Sequence, residues 1–273
     1  MLPKQPRAVI TGAAGGLGRA LASRLAARGA RLVLSDVDSA GAEETRRIVE
    51  SSGGRAHVTP CDVSKPDQVE RLFELSAREL GHIDLLVNNA GVAVGGPVGT
   101  IPLADWEWIM GINLWGVIYG CHYFLPAMKA RGSGHVLNVA SIAAFASAAE
   151  MAPYNVTKAG VVALSETLAS ELSGTGVGVT VLCPYFFTTN IAKSARSHAS
   201  MNVTGIEKLM SRNKVQADEV AERALVACDK ETLYAFPHKE AKTIAFLKRS
   251  APETLHRTIS PWLAKRVDGG AAG

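Results

Sequence analysis

The stretch "RAVITGAAGGLGRALASRLA", residues 7–26, decides the fold. It begins with a short apolar run, passes through a turn rich in glycine, and ends in a helical pattern of alanine and leucine. Glycines between a strand and a helix let the backbone bend sharply and come close to a ligand. Because the free N–H groups at a helix N-terminus favour anions, such a turn is typical of a pyrophosphate-binding loop.

The spacing of this turn, from Thr11 to Gly18, is T-G-x-x-x-G-x-G. It therefore departs from the G-x-G-x-x-G pattern of many dinucleotide-binding proteins. A glycine-rich turn is weak evidence when it stands alone. We nevertheless expect Gly12, Gly16, Leu17 and Gly18 to contact a cofactor.

Apolar runs alternate with helical patterns along the chain. The runs lie at 7–11, 31–35, 56–60, 84–88, 135–140 and 178–183. The helical patterns lie near 17–28, 39–52, 66–80, 103–130, 151–173 and 216–229. Strands this uniformly apolar are covered on both faces, as in parallel sheets. The sequence thus predicts an α/β fold: a single-domain Rossmann-type doubly wound parallel sheet, expected to have seven strands, with helices on both faces.

We expect residues 1–237 to form one dinucleotide-binding and catalytic domain. Residues 185–214 lack a sustained period and follow the sixth strand, where ligands bind beyond the strand ends of open parallel sheets. They are therefore interpreted as a substrate lid, with a disordered surface loop as the alternative. Residues 238–273 are interpreted as a basic C-terminal extension, since the chain from 231 onward has seven Lys and Arg against four Asp and Glu.

The composition is that of an ordinary globular protein, with 273 residues, 47% hydrophobic and 20% charged residues, and a net charge of +4. The four cysteines form no C-x-x-C pair, so neither a zinc site nor a disulfide framework is indicated. Reduced thiols suit a cytoplasmic protein. Neither a signal peptide nor a transmembrane segment is expected, and no metal is predicted.

Asp36 ends the second predicted strand in "LSDVD", 18 residues after Gly18. This is close to the spacing of about 20 residues expected for the acid that binds the adenosine ribose of a dinucleotide. A carboxylate accepts hydrogen bonds from both ribose hydroxyls and repels a 2′-phosphate. Neither Gly15 nor Val37 is basic, so NAD is predicted over NADP. The competing role for Asp36 is capping of the next helix, and Asp38 competes for that role.

Further candidate cofactor contacts follow the third and fourth predicted strands. Asp62 and Val63 lie in "CDV", where they could meet the adenine, although capping of the next helix is a rival role for Asp62. In "NNAG", Asn88 is expected to be structural and Asn89 to be the cofactor neighbour. Gly91 allows a ligand to approach the backbone closely.

Three polar residues follow the fifth predicted strand. Ser141 ends "NVAS", and Tyr154 and Lys158 stand four residues apart in "YNVTK". On a helix, that spacing places the phenol and the ammonium on one face. A partly buried tyrosine beside a lysine of ordinary role is the simpler interpretation of this pair, and a cap or loop hydroxyl is the simpler one for Ser141.

Together, T-G-x-x-x-G-x-G, N-N-A-G, a serine thirteen residues before Y-x-x-x-K, and Asn113 in "GINLWG" resemble the short-chain dehydrogenase/reductase family over about residues 7–237. The resemblance implies that Asn113, Ser141, Tyr154 and Lys158 form a catalytic tetrad, that Asp36 is an NAD-selective acid, and that the protein is a homodimer or homotetramer. It also implies an oxidoreductase acting on an alcohol or ketone, with Lys158 binding the nicotinamide ribose.

The chemistry agrees with that resemblance. A tyrosine with an ordinary pKa of about 10 is a poor base, but a nearby lysine ammonium favours the phenolate. Tyr154 could then accept the alcohol proton, Ser141 could hydrogen-bond the substrate oxygen, and Asn113 could hold a water in a proton relay.

One departure from the family pattern follows the sixth strand. The family usually has Pro-Gly there, whereas this chain has Pro184 and Tyr185 followed by "FFTTN". Pro184 and Thr188 match the cofactor contacts of the family, with Thr189 as the alternative to Thr188 if the loop shifts.

The substrate is predicted to be a lipophilic secondary alcohol or ketone, because the expected lid is rich in apolar residues. These are Tyr185, Phe186, Phe187, Ile191, Met201, Ile206, Leu209 and Met210. Many of them could instead pack the loop onto the domain. The same segment has five cationic residues against Glu207, which leaves an anionic substrate as a second possibility: Lys193, Arg196, Lys208, Arg212 and Lys214.

Two other classes of function compete with this interpretation. An NADP-dependent carbonyl reductase would keep the same chemistry, and a non-catalytic dinucleotide-binding sensor or scaffold would keep only the fold. Nucleic-acid binding would rest on the basic tail at 248–266 with Trp262, which matches no recognised module, so no nucleic-acid partner is expected. The apolar residues of that tail could pack on the domain, on a neighbouring subunit or on a membrane surface: Leu255, Ile259, Trp262 and Leu263.

Overall fold

The computed structural model describes residues 1–189, 191, 195–198, 208 and 210–259, with the side chains of 258 and 259 excepted. One seven-stranded sheet forms the centre, and all of its strand pairs are parallel. This confirms the predicted Rossmann-type doubly wound fold. Met201, Ile206, Leu209, Lys193, Glu207, Trp262 and Leu263 lie outside the described residues.

Six of the strands follow the predicted apolar runs closely, and three strands of two residues each were not predicted. The strands are β1 (Arg7–Thr11), β2 (Arg31–Asp36), β3 (Arg55–Pro60), β4 (Leu85–Asn88), β5 (Val94–Gly95), β6 (Gly134–Val139), β7 (Val177–Leu182), β8 (Arg196–Ser197) and β9 (Tyr234–Ala235). The large sheet has the order β3-β2-β1-β4-β6-β7-β9, and β5 and β8 form a separate two-stranded sheet. The order reverses between β1 and β4, so the connections that follow these two paired strands lead to opposite faces of the sheet and leave a crevice between them.

The helices cover both faces of the large sheet. They are α1 (Gly16–Ala26), α2 (Ser39–Ser51), α3 (Pro66–Leu80), α4 (Leu103–Met110), α5 (Gly116–Arg131), α6 (Ala143–Ala146), α7 (Ala152–Glu171), α8 (Ala217–Asp229), α9 (Lys239–Ser250) and α10 (Pro252–Thr254). Two π-helical turns complete the described part, at Gly111–Trp115 and Leu255–Ile259. None of the described helices is long and apolar enough to cross a membrane.

Each face of the sheet has its own hydrophobic core because side chains alternate along a strand. Helices α1 and α8 pack on one face, where Ile10 and Leu34 point. Helices α3, α5, α7 and α9 pack on the other face, where Val9 and Val33 point. The four cysteines are buried as free thiols.

The segment after residue 237 shares the second of these cores. Ala241, Ile244 and Ala245 on α9 are buried in it, and Leu255 is only 1% exposed. Helix α9 was not predicted from the sequence. The described part of the C-terminal extension therefore packs on the domain, and the expected boundary at 237 does not separate two cores.

A buried polar chain links two central strands to α7. The Asn88 amide donates to Asn138 Oδ1 at 2.9 Å, and the Asn138 amide donates to Ser165 Oγ at 3.0 Å. Asn88 and Asn138 are at most 3% exposed. This agrees with the structural role expected for Asn88.

Replacement of Asn138 by alanine is expected to destabilise the protein by about 1–3 kcal/mol, because the buried Asn88 amide keeps only its long contact with Cys121 Sγ, and Ser165 Oγ loses a donor while it keeps its bond to the Val161 carbonyl. Urea unfolding followed by circular dichroism measures the change. Glu74→Ala, on the exposed side of α3, is the control and should leave the free energy of unfolding nearly unchanged. An equal loss in the two variants would contradict the role of the buried chain.

Candidate active site

The glycine turn after β1 is too tightly packed for side chains at two of its positions. Gly12 has φ +66°, and a Cβ there would lie 2.7 Å from the Ala90 Cα. A Cβ on Gly18 would lie 2.1 Å from the Gly12 carbonyl oxygen, so this glycine brings α1 against the turn. Gly18 thus allows α1 to pack closely against the turn and does not line the cleft. Gly12, Gly16 and Leu17 do line the cleft.

Asn89 holds the glycine turn in place. Its Nδ2 donates to the carbonyl oxygens of Thr11 and Gly12, both at 2.9 Å. The Thr11 hydroxyl in turn accepts the backbone N–H of Asn89 at 3.0 Å. Asn89 also lines the cleft, as expected for a residue next to a cofactor.

Asp36 lies at the end of β2 and lines the cleft. Its carboxylate accepts the backbone N–H groups of Ala14 at 2.9 Å and Asp38 at 3.0 Å. Asp38, and not Asp36, caps α2, since its side chain accepts the Gly41 N–H at 3.0 Å. The capping alternative for Asp36 is therefore wrong, and its carboxylate is fixed at the position expected for a ribose-binding acid.

Asp62 and Val63 also line the cleft, beyond the end of β3. One Asp62 oxygen accepts both the N–H and the hydroxyl of Ser64, at 2.9 and 2.7 Å. Asp62 therefore stabilises the turn before α3, which begins after Lys65. Gly91 follows on the same wall, where a Cβ would lie 3.4 Å from Asn113 Oδ1 and 3.5 Å from Lys158 Nζ.

Lys158 and Tyr154 lie one turn apart on α7. The Lys158 side chain is 3% exposed, its Nζ donates to the Val139 carbonyl at 2.9 Å, and it lies 5.7 Å from the centre of the Tyr154 ring. Burial lowers the pKa of Lys158 to about 8, with the Cys183 thiol opposing that shift. An amine with this pKa is still mostly protonated at neutral pH, so a cation stands beside the phenol.

Tyr154 and Ser141 line the same part of the cleft. Burial raises the pKa of Tyr154, and the Ser141 hydroxyl opposes that rise. Ser141 Oγ also accepts the Ala143 N–H at 3.1 Å, which fixes the serine at the start of α6. The cap and the catalytic interpretations of Ser141 are therefore compatible.

Asn113 lies in the π-helical turn between α4 and α5 and is fully buried. Its side chain accepts the Val92 N–H at 2.8 Å and donates to the Val92 carbonyl at 2.9 Å. A further contact reaches Thr157 Oγ1 at 3.3 Å. The Asn113 amide is thus occupied in holding the wall beside Gly91, and it does not line the cleft itself.

The cleft has a volume of about 800 Å³ and extends from the glycine turn to Ser141, Tyr154 and Lys158. Its far wall follows β7 and includes Pro184, Tyr185, Phe186 and Phe187. Thr189 lines the cleft, whereas Thr188 lies outside its lining and donates its N–H to Gln216 Oε1 at 2.9 Å. The structure therefore favours Thr189 over Thr188 as the contact after the strand.

Two features of the site were missed from the sequence. Glu150 and Asn155 line the cleft close to Tyr154. The sequence offers no signal for Glu150, because it precedes α7 and helical spacing does not relate it to the tyrosine. Glu150 has φ +58°, and its carbonyl accepts the Gly96 N–H at 2.7 Å, which holds this unusual backbone in place.

The second missed feature anchors the segment after β7. β8 pairs with β5, and the side chains of Arg196 and His198 both contact the nearly buried carboxylate of Asp105. The Arg196 guanidinium also lies 3.7 Å from the centre of the Trp108 ring. Arg196, one of the five cationic residues of the expected lid, is therefore paired with a carboxylate of the protein itself.

A dinucleotide fits the residues of this cleft. The turn at Gly12 and Gly16 leaves its backbone open to the cleft, since a Cβ on Gly16 would meet nothing nearer than Thr189 at 3.7 Å. Asp36 stands at one end and Tyr154 at the other. The described residues contain no group of three or more His, Cys, Asp and Glu side chains placed to hold a metal ion.

Comparison with known proteins supports the family resemblance found in the sequence motifs. The sequence model of the family described as short chain dehydrogenase matches residues 6–200. The chain is 33% identical over 258 residues to the probable oxidoreductase EphD of Mycobacterium tuberculosis, with 91% of this chain and 44% of that protein covered. It thus spans less than half the length of that relative. It is 32% identical over 238 residues to a 1-deoxy-11-beta-hydroxypentalenate dehydrogenase of Streptomyces exfoliatus, with 86% and 84% covered.

Solved structures show the same architecture. A short chain dehydrogenase/reductase from Burkholderia phymatum in complex with NAD has a TM-score of 0.86 and 32% identity, with 92% of this chain and 95% of that chain covered. A short-chain dehydrogenase from Sphingobium yanoikuyae in complex with NADPH has a TM-score of 0.76 and 29% identity, with 93% and 96% covered. Both dinucleotides therefore occur among similar structures.

Replacement of Gly18 by alanine is expected to lower the free energy of unfolding by about 1–3 kcal/mol, because the new Cβ overlaps the Gly12 carbonyl and displaces the turn. Binding of NADH should weaken at the same time. Chemical unfolding and NADH fluorescence measure the two effects. Gly99→Ala is the matched control, since its Cβ would meet nothing within 4 Å. Wild-type NADH affinity in Gly18→Ala would contradict this account of the turn.

Proposed function

We propose, since this chain belongs to the short-chain dehydrogenase/reductase family and is an oxidoreductase, that it oxidises a lipophilic secondary alcohol or reduces the matching ketone with NAD(H). The observation that carries the proposal is the placement of Tyr154, Ser141 and Lys158 at one end of the cleft that holds Asp36 at the other. In the direction of oxidation, the alcohol loses a proton from oxygen and a hydride from carbon.

Tyr154 is the group that takes the alcohol proton. Its phenol faces the cleft, and the adjacent Ser141 hydroxyl favours the phenolate. Ser141 also offers a hydrogen bond to the substrate oxygen, which orients that oxygen toward the phenol. In the direction of reduction, the same phenol returns the proton to the carbonyl oxygen.

Lys158 is held in the protein interior and makes no ion pair among the described residues. Its charge is therefore weakly screened and lowers the cost of ionising Tyr154. Its single described hydrogen bond, to Val139, leaves ammonium hydrogens for a ribose hydroxyl. When bound, the nicotinamide supplies the hydride acceptor.

NAD is the proposed cofactor because of the charges around Asp36. Asp38 and Asp62 line the same end of the cleft, and Lys158 is the only cation among the described lining residues. Arg19, the nearest basic residue of the turn, donates instead to Ala14 O, Thr45 and Glu44. A 2′-phosphate would thus meet carboxylates and no free guanidinium. NADP-dependent carbonyl reduction is the alternative.

A lipophilic substrate is proposed because the wall opposite Asp36 is largely apolar. The described residues that form this apolar lining are Ala93, Ile142, Met151, Tyr185, Phe186 and Met210. An anionic substrate is less well supported, since Arg196 is engaged by Asp105 and Glu150 adds a negative charge at the mouth. Conversion of small polyols alone, without any lipophilic alcohol, would contradict this part of the proposal.

We further expect the protein to act in the cytoplasm as a homodimer or homotetramer. The four buried free thiols suit a reducing compartment. Trp115, 48% exposed and stacked on Tyr119, and Val156, also 48% exposed, are apolar side chains available to a second subunit.

Replacement of Tyr154 by phenylalanine is expected to lower kcat by about 10²–10⁴-fold, since the ring remains and only the acid–base hydroxyl is lost. The measurement is NADH formation by purified protein across a panel of lipophilic secondary alcohols. NADH affinity should stay near the wild-type value, which serves as the internal control for folding. Undiminished turnover in the variant would rule out Tyr154 as the base, and NADH binding without turnover in the wild type would favour the sensor or scaffold alternative.

Replacement of Asp36 by alanine is expected to shift the ratio of kcat/KM for NAD over NADP by at least about tenfold toward NADP, because it removes both the ribose hydrogen bonds and the charge that repels a phosphate. Steady-state kinetics with the two cofactors measure the ratio. Asp67→Asn is the control, since it removes the same charge from the exposed surface of α3, outside the lining of the cleft, and should leave the ratio unchanged. A wild-type preference for NADP would contradict the assignment of Asp36.

A further inference from the structure

The wall segment, residues 184–187, is held by a histidine that is distant in sequence. His238 is 2% exposed and precedes α9. Its Nδ1 lies 3.1 Å from the backbone nitrogen of Tyr185, and its Nε2 lies 3.2 Å from the carbonyl oxygen of Val215. One imidazole therefore joins the wall of the cleft to the chain that enters α8.

These two partners fix the protonation state of the ring. A backbone N–H can only donate, so Nδ1 must accept and carries no proton. A carbonyl can only accept, so Nε2 must carry the proton. His238 therefore satisfies both partners only as the neutral tautomer with its proton on Nε2.

The surroundings keep the ring neutral. Burial lowers the pKa of His238, the Val215 carbonyl and the carboxylates of Glu240 and Glu219 oppose that shift, and the Arg223 guanidinium adds to it. Tyr185 and Phe187 pack their rings near it, with centres 6.3 and 6.2 Å away.

We propose that His238 is a positioning residue for the cleft: through the Tyr185 N–H it fixes the wall segment where Pro184 to Phe187 face the cofactor and substrate. This inference rests on the proposed function of the cleft. It also explains how the chain accommodates Tyr185 where the family pattern has glycine. The ring of Tyr185 is 8% exposed and packs edge to face on Phe186, with centres 4.9 Å apart, while its backbone N–H is held by the imidazole.

Protonation of His238 removes this support. A proton on Nδ1 occupies the lone pair that accepts the Tyr185 N–H, so two N–H groups then face each other. The folded-state pKa lies below the ordinary value, so the contact is intact at neutral pH and is lost as the pH falls through that folded-state pKa. The affinity of the cleft for a dinucleotide should fall over the same range.

Two variants separate the two contacts of the ring. In His238→Asn the amide oxygen stands near the position of Nδ1 and can still accept the Tyr185 N–H. In His238→Gln the longer side chain reaches the position of Nε2 and can donate to Val215, but Tyr185 loses its acceptor. The proposal predicts that Asn largely preserves the cleft and that Gln does not.

The first experiment follows the wild-type protein without cofactor, by long-range ¹H–¹⁵N NMR of the histidine rings from about pH 8 to about pH 5. The His238 signal is assigned by its absence in His238→Asn. The expected result is an Nε2-protonated neutral ring at pH 7. A proton on Nδ1, or a charged ring at pH 7, would overturn the proposal without any reference to catalysis.

The second experiment measures NAD⁺ binding to the two variants by isothermal titration calorimetry. His238→Gln is expected to bind about three- to tenfold more weakly than wild type, the range for loss of one neutral hydrogen bond, and His238→Asn within about twofold. The acid-side loss of affinity should be absent from His238→Asn. Equal affinities of the two variants would overturn the positioning role. Failure of the wild type to bind NAD⁺ would instead refute the proposed cofactor and leave the NMR result to decide the ring's role.

Discussion

The site depends on one buried ammonium, that of Lys158. Its Nζ donates to the carbonyl of Val139, the last residue of β6, so α7 is tied to the end of a central strand. Two residues after Val139 comes Ser141, and one helical turn before Lys158 comes Tyr154. This single contact therefore brings Tyr154, Ser141 and Lys158, the three residues that we propose carry the chemistry, to one wall of the cleft.

The opposite end of the site depends on the order of the strands. Because β1 lies between β2 and β4, the turn after β1, the acid after β2 and the asparagine after β4 meet at one edge of the sheet. Asn89 joins two of these elements directly, through its bonds to Thr11 and Gly12. The cofactor end is thus built from backbone geometry and a few amide hydrogen bonds, while the chemical end is built from ionisable side chains.

The sequence was sufficient for the parts of the molecule that follow a regular pattern. Six strands were placed within one or two residues because buried parallel strands read as uniform apolar runs, and family membership followed from spaced motifs. The helix predicted at 103–130 is interrupted by a π-helical turn at Gly111–Trp115, in which Asn113 bonds to Val92. The sequence did not predict this turn, because a π-helical turn does not change the pattern of apolar residues. Helix α9 was missed because its first turns are rich in lysine and its apolar face is narrow.

Contacts between distant segments could not be predicted. The choice between Thr188 and Thr189 depends on Gln216, which fixes the Thr188 N–H from the start of α8. The engagement of Arg196 by Asp105 depends on the pairing of two very short strands, and the role of His238 depends on its two backbone partners. Each of these is a tertiary contact between residues that no local periodicity relates.

The central claim, that the buried Lys158 ammonium favours the Tyr154 phenolate, is tested most directly by titrating that phenol. Tyrosinate difference absorbance in the presence of saturating NAD⁺, with Tyr154→Phe as the reference, gives the pKa of Tyr154 in the wild type and in Lys158→Met. The account predicts that ionisation occurs at a clearly higher pH in Lys158→Met. The same pKa in both proteins would show that Lys158 has no electrostatic role in the chemistry and would leave it only a structural one.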